Sequence, residues 1–293
     1  MSITASITGL VVMLIRSIKL IPKRIAVFLW AIPFLRMLVP FGVNSQYSLM
    51  SMISRFTTKS VTVYQPAKDV VFSITNCVMA ADTYFPVTYR VGLLEKVFGI
   101  ASVIWICISV TILLILTVCY FTVIRDIRDA VLLHGNIYLS EKVSAPAVYG
   151  IAKPKIVLPA SYRDRDIDMI ILHENAHIKS RDNLLRLLAF ITAAVHWFNP
   201  FSWVFLKFFL SDLEMSCDER VISKLDGEHR KKYALTLIES RKAAAVFSSG
   251  FGGAKLTGRI RNILSFKKLT VFSLISFIIL IVAVFFTLLT NAS

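Results

Sequence analysis

Two stretches of the chain run without a charged side chain for longer than a bilayer's hydrocarbon core requires. Residues 98–122 (FGIASVIWICISVTILLILTVCYFT) and 270–290 (TVFSLISFIILIVAVFFTLLT) are uncharged throughout, and about 20 helical residues suffice to cross. Both are predicted to be transmembrane helices. Residues 3–20 and 25–42 are apolar but carry Arg16, Lys19, Pro33 and Arg36. Because Lys19, Lys23 and Arg24 gather around Pro22, these two runs predict a helical hairpin with a basic tip, with Arg36 snorkelling to the opposite interface. Four spans result. A further apolar stretch, 187–211, contains Asn199-Pro200. The residue before proline avoids the helical region, so this stretch predicts two helices joined by a turn, a hairpin that returns the chain to its starting side. Residues 167–180 (IDMIILHENAHIKS) instead place apolar and polar positions as a helix does.

Composition agrees with a membrane protein. The 293 residues are 56% hydrophobic and 17% charged, with mean hydropathy +0.69, against about 45–50% and about 25% in soluble domains. That excludes a disordered or collagen-like chain. Four cysteines (Cys77, Cys107, Cys119, Cys217) offer no disulfide framework. The net charge of +15 is here a topology signal. Residues 123–268 hold 23 of the 33 Lys and Arg, against five in 43–97, so 123–268 is expected in the cytoplasm. Arg125 and Arg128 after the third span, and Lys267 and Lys268 before the last, agree. The expected layout is an N-terminal transmembrane hairpin (1–42), an extracellular loop (43–97), a third span (98–122), a cytoplasmic domain (123–268), and a last span with a short outside tail (269–293). Both termini then lie outside. The first six residues carry no charged side chain, which argues against a signal peptide.

The chemistry sits in His173-Glu174-Asn175-Ala176-His177. Spacing i, i+4 puts both imidazoles on one helical face, where they can share a cation, with Glu174 beside it. Zinc, one ion per chain, is the natural occupant, held by neutral imidazole and carboxylate with one position open. The third ligand is expected from Glu214-Met215-Ser216-Cys217-Asp218-Glu219-Arg220. There Glu214 binds the metal, and Asp218, one turn later, hydrogen-bonds a ligating imidazole. Glu219 is the rival but points about 100° away from Asp218. A ligand on each side of 187–211 also explains why that stretch turns back, since a crossing would separate the ligands by about 30 Å. Cys217 reads as a small buried hydrophobe, His196 as an interfacial polar anchor, Leu225-Asp226-Gly227 as a turn, and Arg230-Lys231-Lys232 as a solvated face near anionic lipid.

From Ser144-Ala145-Pro146-Ala147-Val148-Tyr149-Gly150 and Lys153-Pro154-Lys155-Ile156-Val157-Leu158-Pro159, through His177-Ile178-Lys179-Ser180-Arg181-Asp182-Asn183 and Trp197-Phe198-Asn199-Pro200, to Glu214 and Asp218, the chain resembles the integral-membrane zinc peptidases of the BlaR/MecR type. These are bacterial sensor-transducers of beta-lactam signals and act as antirepressors. The resemblance implies a cytoplasmic peptidase that cuts a BlaI/MecI-like transcriptional repressor, and often itself, after an outside signal. It makes His173, His177 and Glu214 the zinc ligands and Glu174 the general base that takes a proton from the attacking water and passes it to the leaving amine. It departs at the end. Antibiotic-sensing members carry a penicillin-binding domain after the last span, so with the sequence stopping at Ser293 direct beta-lactam sensing through such a domain is not expected. Residues 145–158, with Val148 and Ile156–Leu158, are a candidate strand edge for an extended substrate. Residues 243–254 are a candidate self-cleavage loop, with an ordinary loop as the equal alternative.

The expected fold is mainly α: a polytopic membrane protein of four transmembrane helices with a gluzincin-like zinc peptidase domain and a small strand element around 136–158. Two other readings compete. One is a site-2-type intramembrane protease, weakened by the charged surroundings of both the HExxH helix and Asp226. The other is a non-catalytic receptor or scaffold with a structural metal, weakened by the intact Glu174. The expected partners are the lipid bilayer and the repressor, with a homodimer as a further option and no direct nucleic-acid binding.

Overall fold

The computed structural model describes residues 2–18, 21–39, 93–163, 166–244, 256–266 and 271–289. Most of the expected outside loop and of the glycine-rich 243–254 segment therefore lies outside the described residues. Helices α1 (Ser2–Ser17), α2 (Lys23–Leu29), α3 (Ala31–Leu38) and α4 (Leu93–Asp126) precede four short strands. These are β1 (Val131–His134), β2 (Ile137–Ser140), β3 (Ala147–Tyr149) and β4 (Lys155–Pro159). Helices α5 (Asp168–Lys179), α6 (Asp182–Val195), α7 (Pro200–Ile222), α8 (Gly227–Ala244), α9 (Leu256–Leu264) and α10 (Val271–Leu289) follow.

α4 is long and apolar enough to cross a bilayer, and nearly all its side chains stay exposed, as a lipid-facing helix requires and a core helix would not. The hydroxyls of Ser102, Thr111, Thr117 and Thr122 each donate to the carbonyl four residues earlier at 2.7–2.9 Å. That satisfies them without water. Among the described residues it is the one helix of full spanning length, with α1 and the apolar part of α10, Ile275–Leu288, being shorter. The expected second arm of the hairpin, 25–42, is broken at Trp30 into α2 and α3. Pro33 has no N–H for the carbonyl of Leu29 and its ring crowds that carbonyl, so the first helix stops there.

The stretch 187–211 divides as its Asn199-Pro200 pair predicts. α6 ends at Val195, the Asn199 side chain accepts from the Phe201 N–H at 3.0 Å, and Pro200 opens α7. This cap, with proline at the first helical position, is a favoured helix start. α1, α2, α3, α6, α7 and α10 bury a shared core around Val12, Trp30, Ile32, Phe205 and Leu213. Two carboxylates of α7 fasten the N-terminal helices to it. Asp212, fully buried, accepts from Arg16 at 2.6 and 2.7 Å and from the Trp30 indole at 2.9 Å. Glu219, the rival ligand candidate, accepts the first N–H groups of α2, from Lys23 at 3.0 Å and Arg24 at 3.2 Å, which would otherwise lack partners.

The strands form one mixed sheet in the order β1-β2-β4-β3. β1 and β2 are an antiparallel hairpin, β2 and β4 run parallel, and β3 returns antiparallel to β4. Of the segment expected to offer a strand edge, only β3 does so. Ile156, Val157 and Leu158 lie in the inner strand β4 and are buried, Ile156 and Leu158 against Ile137, Leu139 and Ile170, as an apolar run flanked on both sides must be.

Candidate metal centre

α5 packs its apolar side on two cores at once, with Ile170 against the sheet and Met169 against Val221, Ile222 and Tyr233. The remaining face turns toward α7 and carries His173, Glu174 and His177, all buried. The imidazoles meet edge to face with centroids 4.7 Å apart, and their Nε2 atoms are 3.2 Å apart.

Each imidazole is held by its other nitrogen. His177 Nδ1 lies 2.5 Å from Asp182 Oδ2. His173 Nδ1 lies 2.8 Å from the Tyr233 hydroxyl, which itself donates to Asp218 Oδ1 at 2.7 Å. A carboxylate can only accept, so His177 carries its proton on Nδ1. The Tyr233 hydrogen is spent on Asp218, so His173 does the same. Both Nε2 atoms are thus unprotonated acceptors 3.2 Å apart, the His173 one also facing the Arg259 guanidinium at 3.4 Å. Glu214 closes the triangle, its Oε2 lying 3.9 Å from His173 Nε2 and 3.8 Å from His177 Nε2. Zinc with bonds of 2.0–2.1 Å in a tetrahedron needs ligand atoms roughly 3.4 Å apart, so the donor set fits with a small contraction.

Cys217 competes for the same role. One donor atom each of His173, His177 and Cys217 lies within 4.8 Å of the others. The thiol, however, donates to the His173 carbonyl at 3.4 Å and its nearest imidazole nitrogen is Nδ1, at 3.6 Å. Its contacts are therefore with the nitrogen already engaged by Tyr233. Burial and the carboxylates around it push the thiol well up. Glu214 Oε2 instead faces both Nε2 atoms.

The direct bond predicted from Asp218 to an imidazole is replaced by the Tyr233 relay, Asp218 Oδ1 standing 3.6 Å from His173 Nδ1. Asp218 is instead gripped by Arg259 through two bonds of 2.8 Å. The same guanidinium lies 3.4 Å from His173 Nε2 and 3.7 Å from Glu214 Oε2. Arg186 donates to Glu214 Oε1 at 2.5 Å. Burial pushes the Glu214 carboxyl up, but His177 in its protonated form, Arg186 and Arg259 outweigh it and hold it below the usual range. Burial alone dominates at Glu174, raising it to about 7, near the operating pH that suits a proton acceptor. Beside it, Tyr149 at the end of β3 is raised by burial and by the Glu174 charge. A cavity of about 290 Å³ runs from His177 to the β3 edge, lined by Val148, Gly150, Pro154, Arg181 and Asn183.

α5 thus carries a His-Glu-x-x-His pattern beside a sheet edge. A model of the family described as BlaR1 peptidase M56 matches residues 1–265. The chain belongs to that family. Among curated proteins it is 27% identical over 154 residues to the regulatory protein BlaR1 of Bacillus licheniformis, covering 48% of this chain and 25% of that one. It is 31% identical over 110 residues to the methicillin resistance mecR1 protein of Staphylococcus aureus strain Mu50, covering 36% and 19%. The BlaR1 of Staphylococcus aureus is 29% identical over 135 residues, covering 42% and 23%. The chain thus matches a quarter or less of the length of these relatives.

Four residues of this M56 chain's site escape a reading of the sequence: Asp182, Arg186, Tyr233 and Arg259. Asp182 carries a signal, being an acid five residues past His177 and just beyond the helix that holds it. Tyr233 and Arg259 carry none, because they reach His173 across 60 and 86 residues through the packing of α8 and α9. The remaining expectations sit away from the centre. Asp226 accepts from the His229 N–H at the start of α8, and His196 is buried at the end of α6.

Proposed function

We propose that this chain is a membrane-bound zinc endopeptidase of a bacterial signalling system. His173, His177 and Glu214 hold the metal, and Glu174 is the general base. The observation that carries the reading is the convergence of two Nε2 atoms and one carboxylate oxygen at 3.2–3.9 Å. When bound there, zinc supplies a Lewis acid that polarises the scissile carbonyl and makes water a nucleophile at neutral pH.

The protein's own groups do the rest. Asp182 and the Tyr233–Asp218 relay keep both imidazoles in the Nε2-accepting tautomer. Arg186 and Arg259 keep Glu214 ionised. Glu174, buried beside the ligands, takes a proton from the attacking water and returns it to the leaving amine. The free edge of β3 receives the substrate as an added strand, at the cavity that ends on His177. A structural zinc would close with four protein ligands and would have no use for a buried carboxylate at Glu174.

The substrate we propose is a BlaI/MecI-like repressor, cut on the cytoplasmic side where the basic residues of 123–268 lie, with self-cleavage as a second reaction. Four spans and the bilayer as a permanent partner complete the proposal. The test is coexpression of tagged wild type or Glu174→Gln with the repressor encoded nearest to it, followed by immunoblotting and measurement of zinc on the purified proteins. Fragments from wild type, none from Glu174→Gln, and equal zinc in both are expected. Fragments from both would remove Glu174 from the mechanism, and absence of zinc from both would remove the ligand set.

A further inference from the structure

The turn between α5 and α6 contains Arg181 at φ +54°, the only described non-glycine residue with positive φ. A left-handed arginine is a strained conformation that surrounding contacts must hold. Here it aims two consecutive side chains in different directions. Asp182 goes to His177 Nδ1 at 2.5 Å, and Asn183 goes to the sheet, its Nδ2 donating to Val148 O and Gly150 O at 3.0 Å each. Val148 lies in β3, whereas Gly150 follows it at φ +87°, a conformation glycine adopts freely, and the two carbonyls converge on the one amide. β4 occupies one side of β3, and β3 is the last strand of the sheet. The Val148 carbonyl therefore marks its free side, with that of Gly150 just past the strand's end, at the cavity shared by Val148, Gly150, His177, Arg181 and Asn183.

We propose that Asn183 is a positioning residue for the substrate backbone: its amide ties the free edge of β3 to the turn that fixes His177, and so sets where a docked strand lies relative to the metal ligands. This rests on the peptidase reading and on strand addition at β3. One turn thereby fixes two things at once, the tautomer of a ligand and the register of the edge. The role depends on donation. The two hydrogens of the amide match two acceptors, and a side chain of the same size without them is worse than a small one, because it sets acceptors against acceptors.

The experiment uses the full chain in detergent, carrying Glu174→Gln so that substrate is bound but not cut, with fluorescein-labelled β-casein as an extended probe. Binding by anisotropy and zinc content are measured for the parent, Asn183→Ala and Asn183→Asp. Loss of two neutral hydrogen bonds at the edge predicts about a tenfold weaker Kd for Asn183→Ala, a still weaker one for the isosteric Asn183→Asp, and zinc unchanged in both. Equal binding by all three, or Asn183→Asp binding better than Asn183→Ala as a packing role requires, would overturn the proposal. So would loss of zinc in parallel with binding. Failure of the peptidase reading shows separately, as casein left intact by the protein that retains Glu174.

Discussion

Asp182 is the side chain whose removal reports most cleanly on the metal centre without touching a ligand. It is fully buried and lies 2.5 Å from His177 Nδ1, while its second oxygen stands 3.8 Å from Arg220 Nη1. Asp182→Ala deletes a short, charge-assisted bond between two buried side chains, and such bonds contribute about 1.5–3 kcal/mol. Loss of a carboxylate behind a ligating histidine typically weakens metal binding about 10–100-fold, or about 1.4–2.7 kcal/mol. Burial of both partners places this case in the upper half of that range. Asp182→Asn keeps an accepting oxygen and loses the charge, and since charge roughly doubles such a bond, about tenfold is expected. The assay is competition for zinc against a chelator of known affinity, with circular dichroism of the metal-free proteins to separate a folding defect. Zinc affinity within about twofold of wild type in Asp182→Ala would refute the reasoning, because His177 would then need no partner to act as ligand.

Other changes separate the parts of the site. Glu214→Ala should abolish stoichiometric zinc and all cleavage, whereas Cys217→Ser should keep both, as metal analysis and a casein assay will show. Tyr233→Phe cuts the relay to His173 while Arg259 still holds Asp218, so zinc affinity should fall less than in Asp182→Ala, by roughly threefold to tenfold on the same competition assay. In the N-terminal core, Asp212→Ala leaves the Arg16 guanidinium, whose side chain is 12% exposed, without its carboxylate. Breaking a buried pair from one side costs about 3–5 kcal/mol, and the residual exposure places this case at the lower end. The thermal midpoint in detergent should drop, and the double change Arg16→Met with Asp212→Leu should recover part of it, the buried Trp30 indole still lacking its acceptor.

Where local rules act, the sequence is readable. The i, i+4 histidines, the Asn199-Pro200 helix start and the uncharged run of α4 each announce themselves within a few residues, and each stands in the structure where its pattern places it. The second arm of the hairpin differs from its expected single helix because hydropathy counts apolar residues and ignores the missing N–H of Pro33. The strand element is expected around 136–158, but its order is not visible there, since β2 and β4 pair in parallel across the intervening β3. Within 145–158 the free edge is thus β3 alone. At the centre, His173, His177 and Glu214 stand together as their spacing leads one to expect, but the groups that hold them are not visible in the sequence. Asp218 is drawn toward the histidines by its spacing from Glu214, yet the hydroxyl that completes the link comes from α8, and the cation that holds it from α9.

The central claim is the ligand set, and X-ray absorption at the zinc edge of the purified full-length chain tests it most directly. His173, His177 and Glu214 predict a first shell of nitrogen and oxygen alone, at about 2.0–2.2 Å. A sulfur scatterer at about 2.3 Å would put Cys217 in the place of Glu214 and contradict the ligand set.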